Sequence, residues 1–139
     1  MSMSAKRKVY NACILPCLTY ACQTWALTEQ QQIKINICQN RIERSVLGVK
    51  KRDKIQLERI NKKTKFRKVQ TMCRTLKWQW TGHILRERKE KWTKLITEWY
   101  PRESNRSKGR QTKRWEDDLK NVAGSLWLRK QNRETNGKP

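Results

Sequence analysis

The sequence predicts an all-α protein: a bundle of about five to six short helices with a basic loop and a disordered tail. Apolar residues recur at spacings of three and four along most of the 139 residues, which is the period of an amphipathic helix. Residues that favour helix ends, such as Thr28 and Gly48, stand beside these periodic segments. No segment shows a convincing strand pattern, and there is no internal repeat.

The first helical segment spans about residues 5–27. Its residues at helical spacing include Tyr10, Cys13, Cys17 and Tyr20. Pro16 has no backbone N–H to donate, so we expect it to break or kink this segment into two short helices.

The second helix follows Thr28, a good N-cap, and has Glu29 in its first turn, where the helix dipole favours negative charge. Gly48 suits the position just after a helix, because glycine adopts the left-handed conformation without strain. The predicted apolar stripe consists of Ile35, Cys38, Ile42 and Val46.

A basic loop at residues 50–52 leads to a short helix that Asp53 is expected to cap. The apolar residues of that helix are Ile55, Leu57 and Ile60. A longer helix follows over about residues 66–88. Its predicted apolar stripe consists of Phe66, Val69, Cys73, Leu76, Trp80 and Ile84. One flank of that stripe carries Arg67, Arg74, Lys77 and Arg88, with Trp78 on the outer side.

The C-terminal third begins with an amphipathic set made of Trp92, Leu95, Ile96 and Trp99. Residues 102–113 form a loop rich in basic residues. The last helix carries Trp115, Leu119, Val122 and Leu126. We therefore predict a helical domain at 1–100, a basic loop with a C-terminal helix at 101–128, and a disordered tail at 129–139.

The charge predicts a polyanionic partner. Lys and Arg number 34 against 12 acidic residues, so the net charge is +22. Hydrophobic residues make up 35%, below the roughly 45–50% of globular proteins. Such a balance favours nucleic acid or an anionic membrane and argues against an enzyme for a neutral small molecule. No apolar run reaches the roughly 18 residues of a membrane span, so we expect no segment to cross a bilayer. Of the two kinds of polyanion we predict RNA or DNA, and no membrane, as the partner.

Five cysteines are an odd number, which fits reduced thiols in a nuclear or cytoplasmic protein better than a disulfide framework. Cys13 and Cys17 have the spacing of a zinc knuckle, but the second pair of such a site is absent. We therefore predict no metal and no cofactor, and we expect these thiols to pack in the core.

Asp117 and Asp118 form the one adjacent pair of aspartates. Polymerases hold metal ions with carboxylates, but this pair opens an amphipathic helix, where acidic residues offset the helix dipole. His83 falls on the predicted apolar side of its helix, as a packed histidine would. No catalytic triad or phosphate loop is present, so we predict no catalytic residues.

The basic residues are the strongest functional signal, because Lys and Arg bind phosphates without any particular motif. Trp78 either stacks on an exposed base or packs against a neighbouring helix, and the sequence leaves both readings open. The candidate nucleic-acid-binding residues are Arg67, Arg74, Lys77, Trp78, Arg86, Arg88, Arg106, Lys108, Arg110, Lys113 and Arg114.

Four stretches in order resemble one family. Residues 14–25 (ILPCLTYACQTW) are similar to the "lPxLxYgxxtW" segment of non-LTR, LINE-type retrotransposon endonuclease–reverse transcriptases. Residues 41–48 resemble that family's "RilRxilGv" helix, residues 76–86 its "l-x-W-x-GHvxR", and residues 109–119 its "GRPxxRWxDDi". Gln111 stands where the family has proline, and the chain leaves the pattern after Trp127.

The resemblance implies a thumb-like helical region and its C-terminal extension, which help to hold the RNA or DNA template and primer. It also implies that the palm and fingers, with the catalytic aspartates of this RNA-directed DNA polymerase, would lie upstream of Met1, together with the endonuclease. The chain would then be a nucleic-acid-binding, non-catalytic fragment of a transposable element. Two alternatives stay open: a non-functional truncated retroelement product, and a small cysteine or zinc interaction module.

Overall fold

The fold is all-α, as the sequence predicts. A computed structural model describes residues 1–87, 92–98, 109 and 113–130, and none of these residues forms a β-strand. No helix in this part of the chain is long and apolar enough to cross a membrane. The helices are α1 (Met3–Val9), α2 (Leu15–Leu18), α3 (Glu29–Leu47), α4 (Leu57–Thr64), α5 (Val69–Arg86), α6 (Trp92–Glu98) and α7 (Asp117–Ala123).

Pro16 does not break the first helix; the chain accommodates it with a π-helical segment. That segment, Tyr10–Ile14, joins α1 directly to α2. The Leu15 N–H donates to the Tyr10 carbonyl, five residues back, and Pro16 falls at the start of α2, where its missing N–H matters least. A short 3-10 turn, Cys22–Thr24, follows α2.

Both predicted ends of α3 are confirmed. Thr28 forms a capping box with Gln31, whose side chain accepts a hydrogen bond of 2.8 Å from the Thr28 N–H. Gly48 adopts the left-handed conformation at φ 69° and donates its N–H to the carbonyls of the last turn.

The ends of α4 and α5 differ from prediction. Asp53 does not cap α4; its carboxylate accepts from the Lys50 N–H at 2.7 Å and closes the 3-10 turn Lys51–Asp53. Helix α4 therefore begins later, at Leu57, and only Ile60 among its predicted apolar residues is buried. Helix α5 begins at Val69, so Phe66, which the sequence places in this helix, lies in the connection before it.

The chain divides into two compact units. Unit 1 comprises residues 1–22 and 28–75, and unit 2 comprises residues 23–27 and 76–139. Helix α5 contributes to both, since the boundary falls after Thr75. The predicted boundaries at residues 100 and 128 remain predictions, and most of the predicted tail lies outside the described residues.

The fully buried side chains of α3 form a polar network, whereas Ile35, Ile42 and Val46 of the predicted apolar stripe are partly buried. Gln39 and Glu43 are each 1% exposed, whereas Cys38 is exposed. The Gln39 amide nitrogen donates to Glu43 at 2.8 Å, and its oxygen accepts from the N–H of Val69, the first residue of α5, at 2.9 Å. The Thr64 hydroxyl, at the end of α4, donates to Glu43 at 3.1 Å. One turn of α3 thus holds α4 and α5.

The aromatic part of this core joins the first helical segment to the connection before α5. The rings of Tyr10 and Phe66 stack with centroids 4.1 Å apart, and the Tyr10 hydroxyl donates to the Arg67 carbonyl at 3.2 Å. Burial, and secondarily the charge of Glu43, raise the pKa of Tyr10 to about 12. Tyr10 is therefore held as the neutral phenol.

The buried face of α5 agrees with the predicted stripe at Val69, Cys73 and Ile84 but differs from it in the middle turns of the helix. Its buried positions include Val69, Cys73, Lys77, Thr81 and Ile84. Leu76 and Trp80, which the apolar pattern places in the core, are only partly buried, and His83 is exposed. The pattern fails here because two polar residues, Lys77 and Thr81, occupy the buried turns, and each has hydrogen-bond partners there.

Among the described residues of unit 2, an apolar cluster joins α5 to the C-terminal segment. Leu119, Ala123 and Trp127 recur every fourth residue and pack with Leu85 of α5. Val122 and Leu126, which the sequence places in the stripe, are exposed instead. Gly124 separates α7 from a helical turn at 127–130, so the periodicity does not continue through one helix.

We expect Gln39→Leu to lower the free energy of unfolding by about 3 kcal/mol, because the buried Val69 N–H and Glu43 carboxylate each lose a partner. Gln30→Leu, an exposed position on the same helix, is the matched control and should change little. Urea unfolding measures both. Equal stability of the two variants would contradict the central role of this network.

We expect Tyr10→Phe to cost about 1 kcal/mol at neutral pH, for the lost hydrogen bond. Because the folded-state pKa lies above the ordinary 10.0, the stability that Tyr10 contributes is complete below pH 10 and is lost as the pH rises towards 12. The parent should therefore lose about 2–3 kcal/mol more than the variant over this range. Burial also raises the pKa of Cys73 to about 12. Because Cys73 is present in both proteins, its titration cancels in the comparison. Parallel alkaline stability curves would contradict this role.

In unit 2, Trp127→Ala should cost about 3–5 kcal/mol, since Trp127 is 2% exposed in the apolar cluster. Trp92→Ala is the control, because Trp92 is 78% exposed. Thermal unfolding followed by circular dichroism compares the two. A Trp127 variant that melts with the parent would mean that this cluster does not hold unit 2 together.

Candidate nucleic-acid interface

The predicted binding residues have different environments in the structure. Four have exposed side chains: Arg67, Arg74, Arg86 and Arg114. Lys113 and Trp78 are partly buried, and Lys77 is buried. Arg88, Arg106, Lys108 and Arg110 lie outside the described residues.

Lys77, which the sequence places on the basic flank of α5, is buried. Its ammonium donates to the Trp25 carbonyl at 2.9 Å and pairs with Asp118 at 3.1 Å. It also lies 4.9 Å from the centre of the Trp115 ring, in cation–π range. Burial lowers the pKa of Lys77, and the hydrogen bond to Asp118 opposes that effect. This cation is committed to the interior of unit 2.

Trp78 and Lys113 are likewise engaged within unit 2. Trp78 packs against the apolar cluster, as the helix-packing reading of its role predicts, and does not stand on the outer flank. Lys113 pairs with Asp118 at 2.6 Å and donates to the Leu27 carbonyl. Of the predicted residues in unit 2 that the structure describes, Arg86 and Arg114 are exposed.

The adjacent aspartates serve the fold of unit 2. Both lie in the first turn of α7, and the Asp117 carboxylate accepts from the Arg114 N–H at 2.6 Å. Asp118 holds Lys77 and Lys113. The prediction that this pair supports a helix N-terminus is confirmed.

The five cysteines lie in different environments. Cys13, Cys17 and Cys38 are exposed, while Cys22 and Cys73 are buried. Within the described ranges, no three His, Cys, Asp or Glu residues are grouped so that they could hold a metal ion. Core packing is thus right for Cys22 and Cys73 and wrong for Cys13 and Cys17.

Unit 1 has a higher net positive charge than unit 2, because it has as many basic residues but fewer acidic ones. That unit holds 17 of the 34 basic residues but only four of the 12 acidic residues, so its net charge is +13. One of the four, Glu43, is buried in the polar network. The exposed surface of unit 1 therefore carries little negative charge to offset its lysines and arginines.

A groove of about 560 Å³ on unit 1 gathers three of these cations, and we call it the cationic groove. Arg41 and Arg44 reach it from one face of α3, and Lys51 from the 3-10 turn that follows. In the described part of the chain, none of the three forms an ion pair. The full lining is Ile37, Asn40, Arg41, Arg44, Ser45, Val49 and Lys51.

The predicted binding residues do not include these three, although each lies in a segment whose structure the sequence predicts. Arg41 and Arg44 are three residues apart, the spacing of one helix face, and residues 50–52 form the basic loop. The sequence pattern that could have predicted this site is a pair of arginines on one helix face, followed by a turn that returns a lysine to that face. Only the turn at Gly48 places the loop beside the helix.

A second groove, of about 370 Å³, lies on unit 1 between α3, α4 and α5, and we call it the amide groove. Carboxamide side chains dominate it, and Arg74 is the predicted binding residue that reaches it. Its lining is Asn36, Gln39, Asn40, Leu57, Asn61, Lys68, Gln70, Thr71 and Arg74. Asn40 lines both grooves.

Comparison with known proteins points to a transposon-related origin. No protein-family model and no solved structure matches the chain. The chain is 29% identical over 117 residues to a protein of Caenorhabditis elegans whose name describes it as uncharacterized and transposon-derived. The match covers 81% of this chain and 42% of that protein, so the chain spans less than half the length of this curated relative.

Proposed function

We propose that this chain is a nucleic-acid-binding, non-catalytic part of a retrotransposon reverse transcriptase, and that unit 1 provides its main phosphate-binding surface. The observation that carries the proposal is the cationic groove, where Arg41, Arg44 and Lys51 converge with no acidic residue in the lining. Guanidinium and ammonium groups in such a groove bind successive phosphates and release counterions.

The charge distribution supports phosphate binding over a merely solvated surface. Unit 1 carries a net charge of +13, and its deepest carboxylate, Glu43, is used internally. Exposed Arg67 and Arg74 belong to the same unit and extend the positive surface. Self-repulsion of so many like charges is relieved when a polyanion binds.

The retroelement assignment rests on the four family-like stretches together with the transposon-derived relative. The non-catalytic assignment rests on the carboxylates. Asp117 and Asp118 are engaged with Arg114, Lys77 and Lys113, so this pair has its partners within the fold.

To test the phosphate-binding role, Arg41, Arg44 and Lys51 are replaced together by Gln, and binding to labelled duplex and single-stranded RNA and DNA is titrated against salt. Each lost phosphate contact on duplex DNA removes roughly 0.9 from the slope of log affinity against log salt. We therefore expect the slope to flatten by up to about 2–3 units. The physical reason is that fewer counterions are released.

The matched control is the triple Gln variant of Arg59, Lys62 and Lys63, three exposed cations of α4 that do not line the groove. It removes the same charge from the same unit and should flatten the slope less. Equal slopes for the two triple variants would mean that binding follows net charge alone and that the cationic groove is not the site.

A further inference from the structure

We infer that the amide groove holds one unpaired nucleobase of a single-stranded nucleic acid whose phosphates lie along the cationic groove. This inference rests on the proposed nucleic-acid binding and adds the base as a recognised group. It assigns a role to residues on α3, α4 and α5 that phosphate binding leaves unexplained.

The chemistry of the lining points to a base and not to a bare phosphate. Asn36, Asn40, Asn61 and Gln70 surround the groove and are exposed or partly buried. Each carboxamide presents a donor and an acceptor side by side, and a nucleobase edge presents the complementary pair. A phosphate has only acceptors, so it could use the amide nitrogens of these residues but would leave their amide oxygens without a partner.

The floor and sides of the groove are held in place by the fold. Gln39 is buried, and its amide is committed to Glu43 and to the Val69 N–H. Lys68 donates to the Asn61 side-chain oxygen at 2.9 Å, which turns the Asn61 amide nitrogen towards other acceptors. Gln70 donates to the Gln32 carbonyl at 3.3 Å, which leaves its side-chain oxygen to accept.

The rim residues are available to a ligand. Within the described residues, Asn36 and Asn40 form no side-chain hydrogen bond. Thr71 and Arg74 are exposed on α5, where a hydroxyl and a guanidinium can reach the sugar and its phosphate. Leu57, which is 40% exposed, offers apolar surface to the face of a base.

The size of the groove limits what it can hold. A volume of about 370 Å³ is near the lower end of the roughly 300–1,000 Å³ typical of small-ligand sites. Bases within a duplex are stacked and paired, whereas an unpaired base can swing out of the stack and enter such a site. Asn40 lines both grooves, so a strand in the cationic groove passes beside this one.

The test uses charge-matched probes: a single-stranded DNA octamer with mixed A and C bases, and the same octamer with abasic sites throughout. At fixed salt, the parent should bind the octamer with bases about tenfold more tightly, since one bidentate amide–base pair is worth about 1–3 kcal/mol. The double variant Asn36→Leu with Thr71→Val should bind the two probes within about twofold of each other. It keeps the charge and leaves the cationic groove intact.

Asn121→Leu, an exposed position in unit 2, is the matched control and should keep the tenfold preference. Circular dichroism melting verifies that the double variant is folded, and Asn36→Leu alone is the milder variant if it is not, because Asn36 is exposed and offers a carboxamide to the base. The salt slope, measured on the same samples, should be unchanged in all of them.

Two results would overturn the inference: equal binding of both probes by the parent, or an undiminished preference in the double variant. If the salt slope of the parent still depends on Arg41, Arg44 and Lys51, phosphate binding stands and only the base site fails. If neither probe binds with a salt dependence that the cationic groove controls, the proposed function itself fails.

Discussion

The buried hydrogen bonds of Gln39 and Glu43 are the constraint on which unit 1 depends. A protein with 35% hydrophobic residues has little apolar surface to bury, so polar groups must complete its core. Once buried, a carboxylate and an amide are costly unless every group is paired. The network meets this condition by drawing on Thr64 and the Val69 N–H, which sets where α4 ends and where α5 begins.

In unit 2 the buried polar groups are those of an ion pair, and aromatic rings pack beside it. Lys77 is enclosed between Asp118 and Trp115, and Trp115 donates to the Gln23 carbonyl at 2.7 Å. The short segment 23–27 and α7, distant in sequence, are thereby held within one unit. Because a buried cation without its partner is strongly unfavourable, Asp118 acts as a structural residue.

The partners of each basic residue distinguish the structural cations from those that are available to a ligand. Lys77 and Lys113 both form ion pairs with Asp118. By contrast, Arg41, Arg44 and Lys51 line a groove that contains no carboxylate. Counting basic residues cannot make this distinction, because a buried lysine and a phosphate-binding lysine contribute equally to net charge. The two grooves on unit 1 also differ in chemistry, and this difference separates binding of phosphates from recognition of a base.

The sequence alone determined the all-α class, both ends of α3 and the structural role of the Asp117–Asp118 pair, because helix period and capping are local properties. It could not locate the buried faces. On α5 the apolar pattern favoured Leu76 and Trp80, but the interior accepts Lys77 and Thr81, since each finds hydrogen-bond partners there. The grooves could not be predicted from the sequence either, because side chains of separate elements line each of them. Which polar groups are satisfied inside, and which remain for a ligand, is decided only when those elements meet.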